Sequence, residues 1–419
     1  MNEKRKLFLA TATFPYGGGE CNFVGPEIEF LKEKFDLTII SHATDEFFYA
    51  NKELESEYKD IKIIRYPSDR KRRDYLIYGL LAVFDWDFWR EVINIFETKR
   101  NIYYRLLDSI TFYITSRKYY FFLKAILKGQ KEFIYYSFWY TQLCYGAVMC
   151  KKHFSNMKII SRTHGLDLYQ ERCRGNRQPF KLIMDGKVDK ILFACQYGKK
   201  YYIDTFANGI DDEKKYCLQR LGSKREEVAI NKRRKDDKFV VVSCSYTIPL
   251  KRIDLIINAL ALINDIEIRW IHFGGGQIYE NLCQLAKDKL KAKDNIEYEL
   301  VGNISNRDIR DFYQNNEVDC FITTSETEGG CPMAIQEAML FGIPIIGTDV
   351  GGITEMIQGN GILLPMNPTE KQVADAISNM KNIPCAEKQK MCELSKNMWN
   401  QYFDISKNGT ELVKIIAEL

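Results

Sequence analysis

Apolar positions along the chain fall into two alternating series. In the first half, short runs rich in apolar or β-branched residues predict strands at Leu7–Ala12, Leu37–His42, Ile61–Arg65, Phe133–Tyr136, Lys158–Ser161 and Lys190–Ala194, most of them separated by helix-length segments. This is the pattern of a parallel sheet covered by helices on both faces. A second series predicts strands at Phe239–Cys244, Glu267–Phe273, Ile296–Leu300, Val318–Thr323, Pro344–Gly347 and Gly361–Leu364. Within it, Ile253, Ile256, Ile257 and Leu260 share one helical face. Asn367-Pro368-Thr369-Glu370 reads as a helix start with an Asn cap, Pro at the first position and Glu at the third. Between the series, residues 208–238 are highly charged and poor in apolar types, which marks a domain boundary. The expectation is an α/β protein of two Rossmann-like domains facing each other across a cleft. The divisions expected are 1–225, 226–395 and a helical segment, 396–419, packing back toward the N-terminal domain.

Residues 70–127 break the alternation. Arg70-Lys-Arg-Arg73 leads into Tyr75, Leu76, Ile77, Tyr78, Leu80, Leu81, Val83, Phe84, Trp86, Phe88 and Trp89, and a second aromatic run from Ile102 ends at Arg117-Lys118-Tyr-Tyr-Phe-Phe122. Two readings fit: a helical pair touching an anionic membrane surface or a lipid-linked substrate, or a helical hairpin packed on the core. Periodicity alone does not separate them.

Composition narrows the class. With 60 basic and 56 acidic residues in 419, the net charge is +4, too balanced for a nucleic-acid binder. No apolar stretch is long enough for a membrane span, and the N-terminal residues read as a strand running into a loop. Twelve cysteines without a CxxC pair, and four scattered histidines, predict no metal site and a reducing, cytoplasmic setting.

The candidate chemistry sits at strand ends. Gly17, Gly18 and Gly19, followed by Glu20, come after the first strand, and Gly274, Gly275 and Gly276 come after a strand of the second series. Glycine runs there let backbone N–H groups approach an anion closely. The densest candidate is Thr323 to Pro344: a strand end, a loop holding Glu328, Gly329, Gly330 and Cys331, then a helix from near Pro332 that carries Glu337 and stops at Gly342. A helix start suits a phosphate, and carboxylates suit sugar hydroxyls. Lys251 and Arg252, at the opening of the amphipathic helix, are the positive partner. Cations are disfavoured at a helix start unless they share an anion with it.

Taken together, Lys251-Arg-Ile-Asp-Leu, the triple glycine, Glu328-Gly…Glu337-Ala-Met-Leu-Phe-Gly-Ile-Pro and Thr348-Asp-Val-Gly-Gly-Ile-Thr-Glu355 resemble the retaining glycosyltransferases of family 4, whose fold is GT-B. Bacterial enzymes building exopolysaccharide, capsule or lipopolysaccharide are the most similar in look. Phe14-Pro-Tyr-Gly-Gly-Gly-Glu20 and Ser161-Arg-Thr-His-Gly-Leu-Asp-Leu168 extend the resemblance into the first half. The resemblance implies that Lys251, with Arg252, neutralises a donor diphosphate. It implies that Glu328 accepts from donor-sugar hydroxyls, with Gly329, Gly330, Cys331 and Pro332 alongside. Glu337 would hold the ribose, and Gly302, Asn303 and Ile304 would line the base beside Gly275. Gly18 and Gly19 would approach the diphosphate, His164 the anomeric centre, and Glu20 and Arg162 the acceptor. Two departures stand out: Glu328 and Glu337 enclose eight residues where the family has seven, and Tyr246 occupies a place where the family often has arginine.

The implied partners are a nucleotide-sugar donor and a glycan or lipid-linked acceptor, with an anionic membrane surface as a further partner and no nucleic acid. No cofactor or metal is implied, and the setting is the cytoplasm or the inner face of the plasma membrane. The competing readings are an inverting transferase or nucleotide-sugar epimerase of related build, and a non-catalytic assembly protein that keeps the fold.

Overall fold

The computed structural model describes residues 4–17, 19–67, 72–226 and 236–419. Two parallel sheets organise them. The first contains β1 (Lys6–Thr11), β2 (Asp36–Ser41), β3 (Lys62–Arg65), β4 (Glu132–Ser137), β5 (Asn156–Thr163), β6 (Lys190–Phe193) and β7 (Tyr216–Leu218), in the order β3-β2-β1-β4-β5-β6-β7. The second contains β8 (Phe239–Cys244), β9 (Ile268–Phe273), β10 (Ile296–Gly302), β11 (Cys320–Thr323), β12 (Ile345–Thr348) and β13 (Gly361–Leu364), in the order β10-β9-β8-β11-β12-β13. Every neighbouring pair is parallel. The inner strands, such as β1, β4, β8 and β9, are buried on both faces, which is why they read as apolar runs rather than alternations.

Two compact units result. One comprises Met1–Leu221 with Ile405–Leu419, the other Gly222–Asp404. The division therefore falls at 404 rather than 395. The reason lies in the helix Cys385–Tyr402, which continues past 395 with Trp399 buried and its indole Nε1 donating to Ser223 Oγ at 2.7 Å. The final helix, Ile405–Ala417, belongs to the first unit and packs on the helix Cys21–Lys34. The two approach so closely that a Cβ at Gly409 would lie 2.4 Å from the Phe30 ring.

In the first unit an aromatic core of Tyr119, Phe133, Tyr135, Tyr145 and Phe193 covers one face of the sheet. In the second, Ile253, Ile256, Ile257 and Leu260 of the helix Ile253–Leu262 pack against Ile268, Trp270 and Ile377. Burial of each such side chain contributes about 1.5–3 kcal/mol. The helix start near Asn367 is set differently from the sequence expectation. Thr369 caps the helix Glu370–Asn382 through a reciprocal pair with Gln372, whereas Asn367 lies outside the helix and accepts from Arg252. The Thr hydroxyl with Gln three residues on satisfies two orphan amides at once.

The segment after β3 is three helices rather than a hairpin: Arg72–Ala82, Trp86–Thr98 and Ile102–Ile126. Arg70 and Lys71 lie outside the described residues. Helix Ile102–Ile126 runs along the helix Gln142–Cys150, and Gly146 permits the contact, since a Cβ there would sit 2.8 Å from the Tyr119 ring. Among the described residues no helix is long and apolar enough to cross a membrane.

Candidate active site

In an open parallel sheet, ligands are received beyond the carboxyl ends of the strands where the strand order reverses. In the second sheet that point lies between β8 and β11. The segment leaving β8 carries Lys251 and Arg252. The segment leaving β11 carries Glu328 and leads into the helix Met333–Leu340, which holds Glu337. The residues singled out in the sequence of this unit thus meet at one edge of one sheet.

The Lys251 ammonium is ion-paired with Glu328 Oε1, both side chains being largely buried. Their two loops are stitched together: Glu326 N donates to Leu250 O at 2.8 Å, and Thr324 Oγ1 donates to Arg252 O at 2.8 Å. Arg252 adopts a left-handed φ of 47° and caps the helix Ile253–Leu262. All three of its guanidinium nitrogens donate to the protein itself, to Thr324 O, Ser325 O, Met366 O and Asn367 Oδ1. Arg252, expected beside Lys251 as a diphosphate contact, braces the loop after β11.

Two glycines complete that loop. A Cβ at Gly351 would fall 2.1 Å from Glu328 O, and one at Gly352 would fall 2.4 Å from Gly330 O. The turn after β12 therefore supports the segment Glu328–Gly330 backbone to backbone, which only glycine allows. Cys331 is buried, its carbonyl accepting from Gln336 Nε2 at 3.0 Å, and Pro332 forms the N-terminal boundary of the helix Met333–Leu340.

The loops after β8, β9 and β10 form a continuous rim. Gly274 N donates to Gly302 O at 2.9 Å, Thr247 N to Gly275 O at 3.0 Å, and Gly275 N to Asn303 Oδ1 at 2.7 Å. Gly274 has a φ of 127° and lies so close to Ser245 that a Cβ would come within 2.0 Å of its carbonyl. Asn303 is exposed and Ile304 half-buried in the same rim.

Glu337 is 6% exposed. Its carboxylate makes no hydrogen bond among the described residues, and its charge partner is Arg310, whose Nη1 stands 3.8 Å away. Burial raises its pKa to about 7, the Arg310 charge opposing the shift. A buried carboxylate without donors is costly, so the position suits a ligand that brings hydroxyls. Arg310 was not legible as a site residue: it comes from the helix Asn306–Asn315, outside every motif singled out in the sequence.

In the first sheet the order reverses between β1 and β4. Gly18 lies outside the described residues, and the Gly19 carbonyl accepts from Asn22 N. Glu20, expected to face an acceptor, is 5% exposed and spent on its own chain. It accepts from the backbone N–H groups of Ala12, Thr13 and Phe14 and from Trp139 Nε1 at 2.7 Å. It therefore shapes the loop after β1 and holds Trp139. Arg162, also expected at the acceptor, is fully buried in an ion pair with Glu27 at 2.7 Å and a hydrogen bond to Gln219. It is a core residue under the sheet edge.

His164 follows β5. Its Nε2 lies 3.1 Å from Phe138 O, and because a carbonyl only accepts, Nε2 carries the proton and Nδ1 keeps its lone pair. Trp139 packs on the ring at 4.3 Å. Burial, reinforced by the Arg162 charge, lowers the imidazole pKa to about 3, so the ring is neutral. The His164 backbone N–H is held by Asp167, which also accepts from Tyr140 N at 2.7 Å. Trp139 and Asp167 are residues that sequence reasoning did not place in the site. Among the described residues no group of three or more His, Cys, Asp or Glu gathers as metal ligands would.

These features define a protein of two Rossmann-like units, each with its loops of interest at the carboxyl edge of a parallel sheet. Solved GT-B glycosyltransferases share this fold along nearly the whole chain. The lipopolysaccharide outer core galactosyltransferase WaaB superposes with a TM-score of 0.69 at 17% identity, covering 99% of this chain and 100% of that one. Anabaena HepE in complex with UDP-glucose superposes with a TM-score of 0.66 at 13% identity, over 99% and 100% of the two chains. Residues 224–398 match the family model described as glycosyl transferases group 1. Among curated proteins, the O-antigen biosynthesis glycosyltransferase WbnH of Escherichia coli is 33% identical over 114 residues, which are 27% of this chain and 30% of that protein. This chain thus matches less than a third of the length of that relative.

Proposed function

We propose that the protein is a retaining glycosyltransferase of the family 4 type. It moves a sugar from a nucleoside-diphosphate donor to a hydroxyl of a glycan or polyprenyl-diphosphate-linked acceptor in the building of a surface polysaccharide. The observation that carries this reading is the pairing of Lys251 with Glu328 at the reversal point of the second sheet, with the donorless carboxylate of Glu337 on the helix that follows.

In this mechanism Glu337 accepts hydrogen bonds from the ribose diol, and the rim at Gly275, Gly302, Asn303 and Ile304 receives the base. Lys251 exchanges part of its pairing with Glu328 for the diphosphate, which gains negative charge as the glycosidic C–O bond breaks. Glu328 and the Gly329–Pro332 segment hold the sugar hydroxyls. The acceptor oxygen bonds to the anomeric carbon on the face the diphosphate leaves, and its proton passes to a departing phosphate oxygen. This route is supported by the two carboxylates at the first unit's sheet edge, Glu20 and Asp167, which are both committed to the protein's own N–H groups. His164, neutral, contributes Nδ1 as an acceptor toward the donor sugar. Charge on the diphosphate is balanced by Lys251 and backbone amides, with no metal required.

The bound UDP-glucose of HepE makes uridine diphosphate sugars the first donors to try. Thermal stabilisation by a panel of nucleoside diphosphates, followed by NMR of the product anomer, tests the proposal. Stabilisation by one diphosphate and a product with the donor's anomeric configuration are expected. An inverted product would favour an inverting transferase. Absence of stabilisation by any diphosphate would favour an assembly protein.

A further inference from the structure

We propose that the outer face of the three helices Arg72–Ala82, Trp86–Thr98 and Ile102–Ile126 docks onto the surface of an anionic lipid membrane. The proposal rests on the first unit alone and is independent of the transfer reaction. Each helix buries one side against the unit and turns an apolar row outward. Leu76, Leu80 and Phe84 form the first row, Trp86, Trp89, Ile93 and Phe96 the second, and Tyr103, Leu107 and Ile110 the third. Trp89 of the second row and Ile110 of the third line a small crevice of about 190 Å³ with Gly79, Val83, Tyr113 and Ile114. At the turn between the first two helices, Phe84 is 88% exposed and Trp86 71% exposed. Large apolar side chains exposed in this number on one segment mark a contact surface.

Charge selects the occupant. Four acidic residues of this segment are held in ion pairs: Asp74 to Lys118 at 2.9 Å, Asp85 to Arg117 at 3.3 Å, Asp87 to Lys187, and Glu91 to Arg177 at 2.9 Å. Arg105, Arg117 and Lys118 are turned inward, and the remaining described cations of the segment are exposed. Arg72, Arg73, Arg90, Lys99 and Arg100 are exposed, against the single exposed acid Glu97 among the described residues from 72 to 107. An outward face of aromatic and aliphatic side chains fringed by cations fits the headgroup region of anionic lipid. Rings settle at the interface there, and cations are attracted by the surface potential. Among the described residues no helix is long and apolar enough to span the bilayer, and the contact proposed is an interfacial, reversible one.

Co-sedimentation of the full chain with vesicles tests this, using phosphatidylcholine alone and phosphatidylcholine with phosphatidylglycerol at about three to one. Binding is expected to the anionic vesicles and to weaken with salt. The variant F84S/W86S, altered only at exposed positions, should partition at least about tenfold less while keeping the parent's melting temperature and nucleoside diphosphate binding. R72E/R73E should lose the salt-sensitive part. A parent that stays in the supernatant at low salt overturns the proposal, as does F84S/W86S sedimenting like the parent. A parent that is dimeric in sedimentation velocity, turns monomeric in F84S/W86S and ignores vesicles also overturns it, assigning the face to a second copy of the chain.

Discussion

The Lys251 ammonium meets the Glu328 carboxylate although the two are 77 positions apart in sequence. Each residue leaves a different strand, β8 or β11, on either side of the reversal in the second sheet, so the pair ties the two strand-end loops together at that edge. An ion pair at such a place holds both groups in position before an anion arrives. Lys251→Ala is expected to lower turnover by at least about tenfold to a hundredfold, the scale of one charge contact that strengthens at the transition state. Glu328→Gln should depress transfer while leaving nucleoside diphosphate affinity within about threefold, because its proposed partner is the sugar. Steady-state kinetics and calorimetry with the diphosphate alone distinguish the two. Turnover of the Ala variant within twofold of the parent would remove Lys251 from the mechanism.

Glu337 gives a pH signature. Burial raises its pKa to about 7, above the ordinary 4.5, so the folded protein holds a proton there that the unfolded chain has lost. The linked stability is complete below about 4.5 and declines as pH rises through about 7. Binding of a ribose diol favours the ionised form, so nucleoside diphosphate affinity should increase between pH 6 and 8 with release of a proton. In Glu337→Gln that proton release should vanish and the affinity fall by about tenfold or more. Calorimetry in two buffers of different ionisation enthalpy measures it. Equal proton release by parent and variant would place the titration on the ligand.

How far the sequence foretold this arrangement depends on the range of the interaction. Strands Phe239–Cys244 and Gly361–Leu364 lie where their apolar runs place them, because a short apolar run is a local signal that serves a buried strand and an edge strand alike. β7, three residues long, has too little pattern to be read. Lys251, Glu328 and Glu337 converge because the topology carries strand-end loops to one edge, which motif and strand order together foretell. Glu20 and Arg162 are placed at the acceptor by the resemblance alone. What commits them to the protein is distant in the chain: Trp139 for Glu20, and Glu27 for Arg162, 135 positions away. Likewise, Gly351 and Gly352 gain meaning only when the Glu328–Gly330 backbone is laid against them.

The core role of Arg162 has its own test. Glu27→Ala would leave a fully buried guanidinium without its charge partner, with Gln219 alone unable to replace it. Loss of about 3–5 kcal/mol of stability in urea unfolding is expected. Arg162→Met with Glu27→Leu, which removes both charges, should recover most of it. If Glu27→Ala keeps full stability and instead raises the acceptor KM, Arg162 belongs to the acceptor site after all.

Gly351 makes a second structural prediction with a functional consequence. A methyl group there would collide with the Glu328 carbonyl, and the residue's φ of 52° is itself unfavourable for alanine. Gly351→Ala should therefore push the Glu328 segment away from the strand end. The expected cost is about 1–3 kcal/mol of stability together with a loss of transfer larger than the loss of nucleoside diphosphate binding. Thermal melts and calorimetry on the same preparation read both. A variant with parental transfer would mean that the Glu328 loop does not depend on this support.

His164 separates a positioning and sugar-binding role from proton transfer. Its ring is anchored by the Nε2–H bond to Phe138 O and by Trp139, which Glu20 in turn holds. With burial and Arg162 lowering its pKa to about 3 from the ordinary 6.5, the imidazole does not titrate near neutral pH. The sign follows from linkage. Between about 3 and 6.5 the unfolded chain binds a proton that the folded protein refuses, so His164 erodes stability as pH falls through this window and costs nothing above it. His164→Gln keeps a donor for the Phe138 carbonyl but removes the proton-binding ring and the Nδ1 acceptor. The variant should fold, bind nucleoside diphosphate normally and lose transfer by at least about tenfold. It should also show a smaller drop in urea midpoint between pH 7 and pH 5 than the parent. A parental midpoint drop together with parental transfer would make His164 a bystander, and a bell-shaped pH profile that disappears in the variant would restore it as a general base.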